Sequence, residues 1–167
     1  LKRQHHNLEA EQRALLDPPE FINKSQNLYG YSNFVCDSSG SICEVVDDDN
    51  DIILKTLSEN LLIVWIKGEE DHSEELIARF RKNPKPMYYN QKLLEDSWES
   101  FKKLNSLKDN EVEPVEFAIY AYERAIKSRQ PKYEAIGKRW GVTLEADKVS
   151  NIKTCADFNN IIAQSLG

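Results

Sequence analysis

The residue types best placed for chemistry lie in one short stretch. Asn33-Phe-Val-Cys36 is an apolar, β-type run that ends on Asp37 and breaks into the hydroxyl-rich loop Ser38-Ser-Gly-Ser41. In open α/β sheets ligands bind outside the carboxyl ends of the strands, so a carboxylate at that point is a site candidate. Its chemistry would be proton acceptance from a hydroxyl group. The competing use is local, an Asx turn in which Asp37 bonds the amides of Ser39 or Gly40. Ser38, Ser39, Gly40 and Ser41 offer closely spaced amide and hydroxyl donors that can surround an anionic or polyhydroxylated ligand, or can form an ordinary strand-to-helix turn. Glu44 is a second carboxylate a few residues on.

Cationic candidates come later in the chain. Arg79 and Arg81 follow a long apolar run, with Lys85 beyond them. A guanidinium fork matches phosphate oxygens and keeps its charge, although a solvated helix face uses the same residues. Arg13 is a further cation on an early helix, where a surface salt bridge is the alternative. His5 and His6 are adjacent, so on a helix they point apart and make no two-ligand metal face. With His72 they read as surface or capping residues. No G-x-S-x-G elbow is present, and no cysteine adjoins a histidine or a cationic run, which removes the usual nucleophile systems.

The elements that must position these residues can be read from periodicity and breakers. Residues 3–16 predict a partly exposed helix ended by Asp17-Pro-Pro19, and 20–28 a second that stops at Gly30. The acidic run Asp47 to Asp51 predicts a solvated turn suited to the positive end of a helix over 52–58. Leu61-Leu-Ile-Val-Trp-Ile-Lys67 is apolar without alternation, the pattern of a strand buried on both faces in a parallel sheet covered by helices. Asp71 with Glu74 three residues on predicts the start of the arginine-bearing helix. Helices are predicted over 91–107, 114–128 and 131–140, then a last strand over 142–145 and a closing helix over 155–166. The expected architecture is a three-layer α/β/α parallel sheet, one domain over 1–167, with a helical insertion at about 90–140 large enough to mediate homodimerisation.

Composition narrows the class. The chain has 167 residues, a net charge of −6 and 40% apolar residues, enough for one domain with a real core. Acidic and basic residues are mixed rather than blocked, which disfavours a nucleic-acid groove or an anionic membrane surface. No apolar run approaches the roughly 20 residues of a membrane span. Cys36, Cys43 and Cys155 are odd in number and lack metal spacing, as expected of reduced thiols in a cytoplasmic protein.

The order of elements resembles the later part of a P-loop kinase of the shikimate-kinase-like or adenylate-kinase-like type. More closely, residues 3–21, Phe34-Val-Cys-Asp-Ser-Ser-Gly-Ser-Ile-Cys-Glu44 and Lys85-Pro-Met-Tyr-Tyr89 are similar to segments of bacterial proteins described as ATPases. The resemblance implies an ATPase or small-molecule kinase that uses MgATP and passes phosphate to a polar acceptor or to water. It implies that Asp37 acts as base or holds Mg²⁺ through bound water, that Ser38, Ser39, Gly40, Ser41 and Arg13 face the acceptor, and that Arg79 and Arg81 clamp phosphates. The phosphate loop such proteins carry, G-x-x-x-x-G-K-S/T, is not in these 167 residues. The expectation is therefore that it lies upstream of Leu1. The other reading is a non-catalytic binding protein that keeps the kinase shape without the loop.

Overall fold

The computed structural model describes residues 2–46, 51–85, 87 and 89–166, with backbone only for residues 2–7, Ser39, Ser41 and Glu70. The helices are α1 (Lys2–Leu16), α2 (Pro18–Tyr29), α3 (Ile52–Asn60), α4 (Glu70–Lys82), α5 (Gln91–Asn105), α6 (Pro114–Trp140), α7 (Ala146–Ser150) and α8 (Cys155–Ser165). The strands are β1 (Ile63–Lys67) and β2 (Gly141–Glu145), and short 3₁₀ turns occupy Ser39–Glu44 and Asp109–Glu111.

Helix starts are set by side chains that satisfy orphan amides. Asp51 accepts from Ile53 N at 2.7 Å and Leu54 N at 3.3 Å to begin α3. Asn90 does the same for α5, and Glu113, followed by Pro114, for α6. Thr154 and Asp157 form a reciprocal capping box on α8. The start of α4 differs from expectation. Its cap is Glu69, whose amide donates to His72 Nδ1 at 2.9 Å, and Asp71 lies inside the helix.

Residues 114–140 form one helix, not two with a break at Ser128. Pro131 sits inside it. A proline within a helix costs about 3 kcal/mol in isolation. The compensation is a continuous buried stripe, Ala121, Ala125, Arg129, Ile136 and Gly137, by which α6 packs on α4, α5 and both strands.

The three-layer parallel sheet is not what forms. The chain is 71% helical, and among the described residues the sheet has two strands, parallel and paired from Ile63↔Gly141 to Lys67↔Glu145. Asn33–Cys36, expected as the first strand, takes no regular secondary structure and joins no ladder. The physical reason is that Val35 and Cys36 are exposed, and no strand lies beside them to receive their backbone groups. The chain then coils into the 3₁₀ turn that buries Ile42 and Cys43.

The main core joins Leu15 of α1, Ile42, Cys43, Val45 and Val46, the inner face of α3, and Ile136 of α6. A second cluster joins Tyr89, Ala121 and Ala125 with Leu93, Leu94 and Phe117. The passage from α6 into β2 requires Gly141, because a Cβ there would lie 2.1 Å from the Ile63 carbonyl oxygen. Gly141→Ala must push the two strands apart, and such overpacking costs about 1–3 kcal/mol or more. A lower urea midpoint at unchanged slope is the expected result.

Candidate functional site

A cleft of about 1030 Å³ runs along β1. Its lining joins Phe34, Asp37, Ser38 and Gly40, before and within the 3₁₀ turn, with the residues of β1. Arg129 and Tyr133 of α6 reach it from one side, and Gly68, His72 and Ser73 mark its end where β1 turns into α4. Asp37, Ser38 and Gly40 thus share a cleft with the carboxyl end of a parallel strand. Asp37 is exposed and Ser38 half-buried. Ser39 and Ser41 lie in the adjoining 3₁₀ turn.

The turn is held by a buried ion pair. Arg129 Nε donates to Glu44 Oε1 at 2.8 Å, with the two side chains 7% and 1% exposed. Glu44 Oε2 accepts from the Asn90 amide at 2.9 Å, and Arg129 Nη1 donates to the Gly40 carbonyl at 3.1 Å. Lys132 Nζ adds a hydrogen bond to the Cys43 carbonyl at 3.2 Å. Burial opposes the guanidinium charge, but the hydrogen bond and charge of Glu44 outweigh it, so Arg129 is pushed above its ordinary value. Burial pushes up the Cys43 thiol and the Tyr133 hydroxyl, and takes Tyr89 up to about 12. Partial burial, then the charge of Asp37, raises the Cys36 thiol.

The remaining predicted residues disperse. A second groove, about 690 Å³, adjoins the cleft at Gly68, Ser73 and Gln130 and is lined by Arg81, Glu123 and Lys127. Arg81 pairs with Glu123, and Arg79 pairs with Glu75 on the exposed face of α4. Arg13 is exposed on α1, which packs on α2 and α3, and lines neither cleft. The expectations placed on Asp47 to Asn50 and on Tyr88 lie outside the described residues, as do the side chains of His5, His6, Ser39 and Ser41. Among the described residues no three His, Cys, Asp or Glu side chains gather as a direct metal site.

Arg129 escaped the sequence reading because it fell between two predicted helices. The signal was the four-residue spacing of Ala121, Ala125, Arg129 and Tyr133, which crosses Pro131 without losing phase and places an arginine on an otherwise apolar stripe.

No protein-family model, curated protein or solved structure matches the chain.

Removing one partner of a buried pair strands the other charge, at about 3–5 kcal/mol. Glu44→Gln and Arg129→Met are expected to destabilise by that order in urea unfolding, and a Glu44→Leu/Arg129→Met double variant by clearly less than the two single effects added. The raised tyrosines carry a pH consequence. A phenol whose folded value lies above its unfolded value adds stability that is intact below about pH 10 and disappears as pH rises through the folded value. Unfolding free energy should therefore fall between about pH 10 and 12, and the fall should be shallower in Tyr89→Phe, as followed by urea titration at stepped pH.

Proposed function

We propose that this chain supplies the acceptor side of an ATP-dependent phosphoryl-transfer protein, an ATPase or small-molecule kinase of the P-loop class, with MgATP as its substrate. The observation that carries the reading is that Asp37, Ser38 and Gly40 line the same cleft as Gly68 and Ser73, which follow the carboxyl end of β1. Parallel strands present ligands beyond their carboxyl ends, and the sequence resemblance assigns Asp37 to the acceptor. Phosphoryl transfer asks a protein mainly for positioning and for compensation of charge. Asp37 has the chemistry to take the proton of an acceptor hydroxyl or of water, and the Ser38 hydroxyl to orient that acceptor. Mg²⁺, arriving with the nucleotide, would compensate phosphate charge and meet Asp37 through bound water. The loop that cradles the phosphates is assigned to polypeptide outside these 167 residues.

A second reading, a non-catalytic binding protein of this shape, is favoured by one observation. Arg79 and Arg81, which the kinase reading gives to phosphate, are both paired with glutamates. The two readings separate on the full-length polypeptide by titration calorimetry with MgATP, followed by ADP release with and without polar acceptors. Binding by wild type and by Asp37→Asn, with kcat in the variant lower by about 10²-fold or more, is expected if the carboxylate is the base. A folded wild-type protein that binds no MgATP overturns the proposal.

A further inference from the structure

The cleft along β1 is lined for most of its length by apolar side chains. Every residue from Leu61 to Ile66 belongs to the lining, and Ile42, Ile126, Phe158 and Ile162 join it from other elements. Four apolar residues that the fold leaves open to solvent, Val35, Leu62, Ile66 and Leu76, are in this one lining, from 42% to 92% exposed. Apolar surface gathered in this way marks a place where something binds. The volume, about 1030 Å³, lies at the top of the roughly 300–1,000 Å³ of sites that take small molecules. The register separates the two faces of β1. Trp65 and its partner Thr143 lie against α6, where Tyr133 stacks on the Trp65 ring. Side chains alternate along a strand, so Val64 and Ile66 point to the other face, with Phe158 and Ile162 of α8 in the same lining. Charge is sparse. Among the described residues Asp37 is the one carboxylate of the lining, and its one guanidinium, Arg129, already serves Glu44 and the Gly40 carbonyl.

We propose that the cleft takes an uncharged aliphatic alcohol of medium length as the phosphoryl acceptor, its chain on the apolar lining and its hydroxyl at Asp37. The role of acceptor rests on the phosphoryl-transfer reading, and the class of molecule rests on the cleft alone. A sugar or other polyol would give up water from hydroxyls that these side chains cannot answer. A carboxylic acid would bring a second negative charge to Asp37, while the guanidinium of the lining is held by Glu44. A single hydroxyl on an alkyl chain meets neither cost. Its proton passes to Asp37 as its oxygen bonds to the γ-phosphorus of ATP, and the bond from that phosphorus to ADP breaks. A chain of about ten carbons extends over most of the roughly 16 Å that five strand residues span, and so covers the open apolar side chains of β1.

The probe is n-decanol, kept below its solubility limit and titrated into the wild-type chain by calorimetry and by NMR of the methyl groups. One-to-one binding is expected, with nuclear Overhauser contacts from the alkyl chain to Leu62, Ile66, Leu76 and Ile162. Decanoate and xylitol should bind about tenfold more weakly or worse, and Asp37→Asn should narrow the gap between decanol and decanoate. Ile66→Lys and Leu76→Lys, both at exposed positions, should each weaken decanol binding about tenfold with an unchanged urea midpoint. In the full-length protein decanol should raise ADP release and xylitol should not. No binding of decanol, equal binding of decanoate or xylitol, contacts confined to other surfaces, or decanol bound without a rise in ADP release by a protein that binds MgATP would each overturn the proposal. A full-length protein that binds decanol in the cleft and no MgATP defeats the phosphoryl-transfer reading, and with it the role of acceptor, while the class of ligand stands.

Discussion

The ion pair between Arg129 and Glu44 fixes the relation between the two halves of the cleft. It is buried, and taking both charges out of water is expensive unless every remaining donor and acceptor is answered. Here the answers come from the backbone. The Asn90 amide takes the second carboxylate oxygen and the Gly40 carbonyl takes a guanidinium nitrogen. One pair therefore ties α6 to the 3₁₀ turn and to the segment that enters α5. Lys132 on the Cys43 carbonyl, Gln12 on the Val45 carbonyl and the Val45 N→Ile42 O bond secure the same turn and its exit. The turn that follows Asp37 and Ser38 is thus held by charge at Glu44, while Ile42 and Cys43 anchor it in the apolar core.

The same helix that brings Arg129 to the turn also brings β2 to β1. Gly137 lets α6 lie close to the sheet, since a Cβ there would meet Thr143 Oγ1 at 2.7 Å and the Trp65 ring at 3.4 Å. Gly141 then allows the first residue of β2 to approach the Ile63 carbonyl. Two glycines four residues apart make a direct helix-to-strand passage possible without a loop. The consequence is mechanical: α6, β1 and β2 form one unit, and Trp65 stacks on Tyr133 across it at 6.1 Å.

Much of the local structure was legible in sequence because its signals are local. Leu61–Lys67 and Val142–Glu145 announced the two strands, Gly30 the end of α2, and Asp51 the start of α3. Asp37 does line a cleft, but not from the end of the strand that the apolar run before it predicted. What failed was long-range. Whether Asn33–Cys36 pairs depends on a neighbour its own residues do not encode. The buried role of Glu44 depends on an arginine 85 positions away. Pro131 misled because breaker rules weigh a missing amide and ignore the stripe that holds the helix through it. His72, as the capping partner of Glu69, shows the opposite lesson, for a residue read as surface or capping proved to be the latter.

The largest disagreement, between an expected sheet and the two strands that form, is itself physically informative. Composition of a strand reflects the environment in which its side chains are stable, and Leu61–Ile66 has the composition of a strand enclosed on both faces. Its surroundings enclose it incompletely. On the β2 side the match is close, with Val142 and Leu144 buried and α6 laid over the pair. On the other side apolar side chains border an open cleft. A sequence tuned only for the two-stranded arrangement would place lysine, proline or a bulge along that edge, as free edges generally do. The single lysine of β1, Lys67, falls at its last position, beyond the apolar run. Among the described residues the apolar run thus borders a cleft whose polar side chains, Asp37, Ser38, His72 and Arg129 among them, come from other elements.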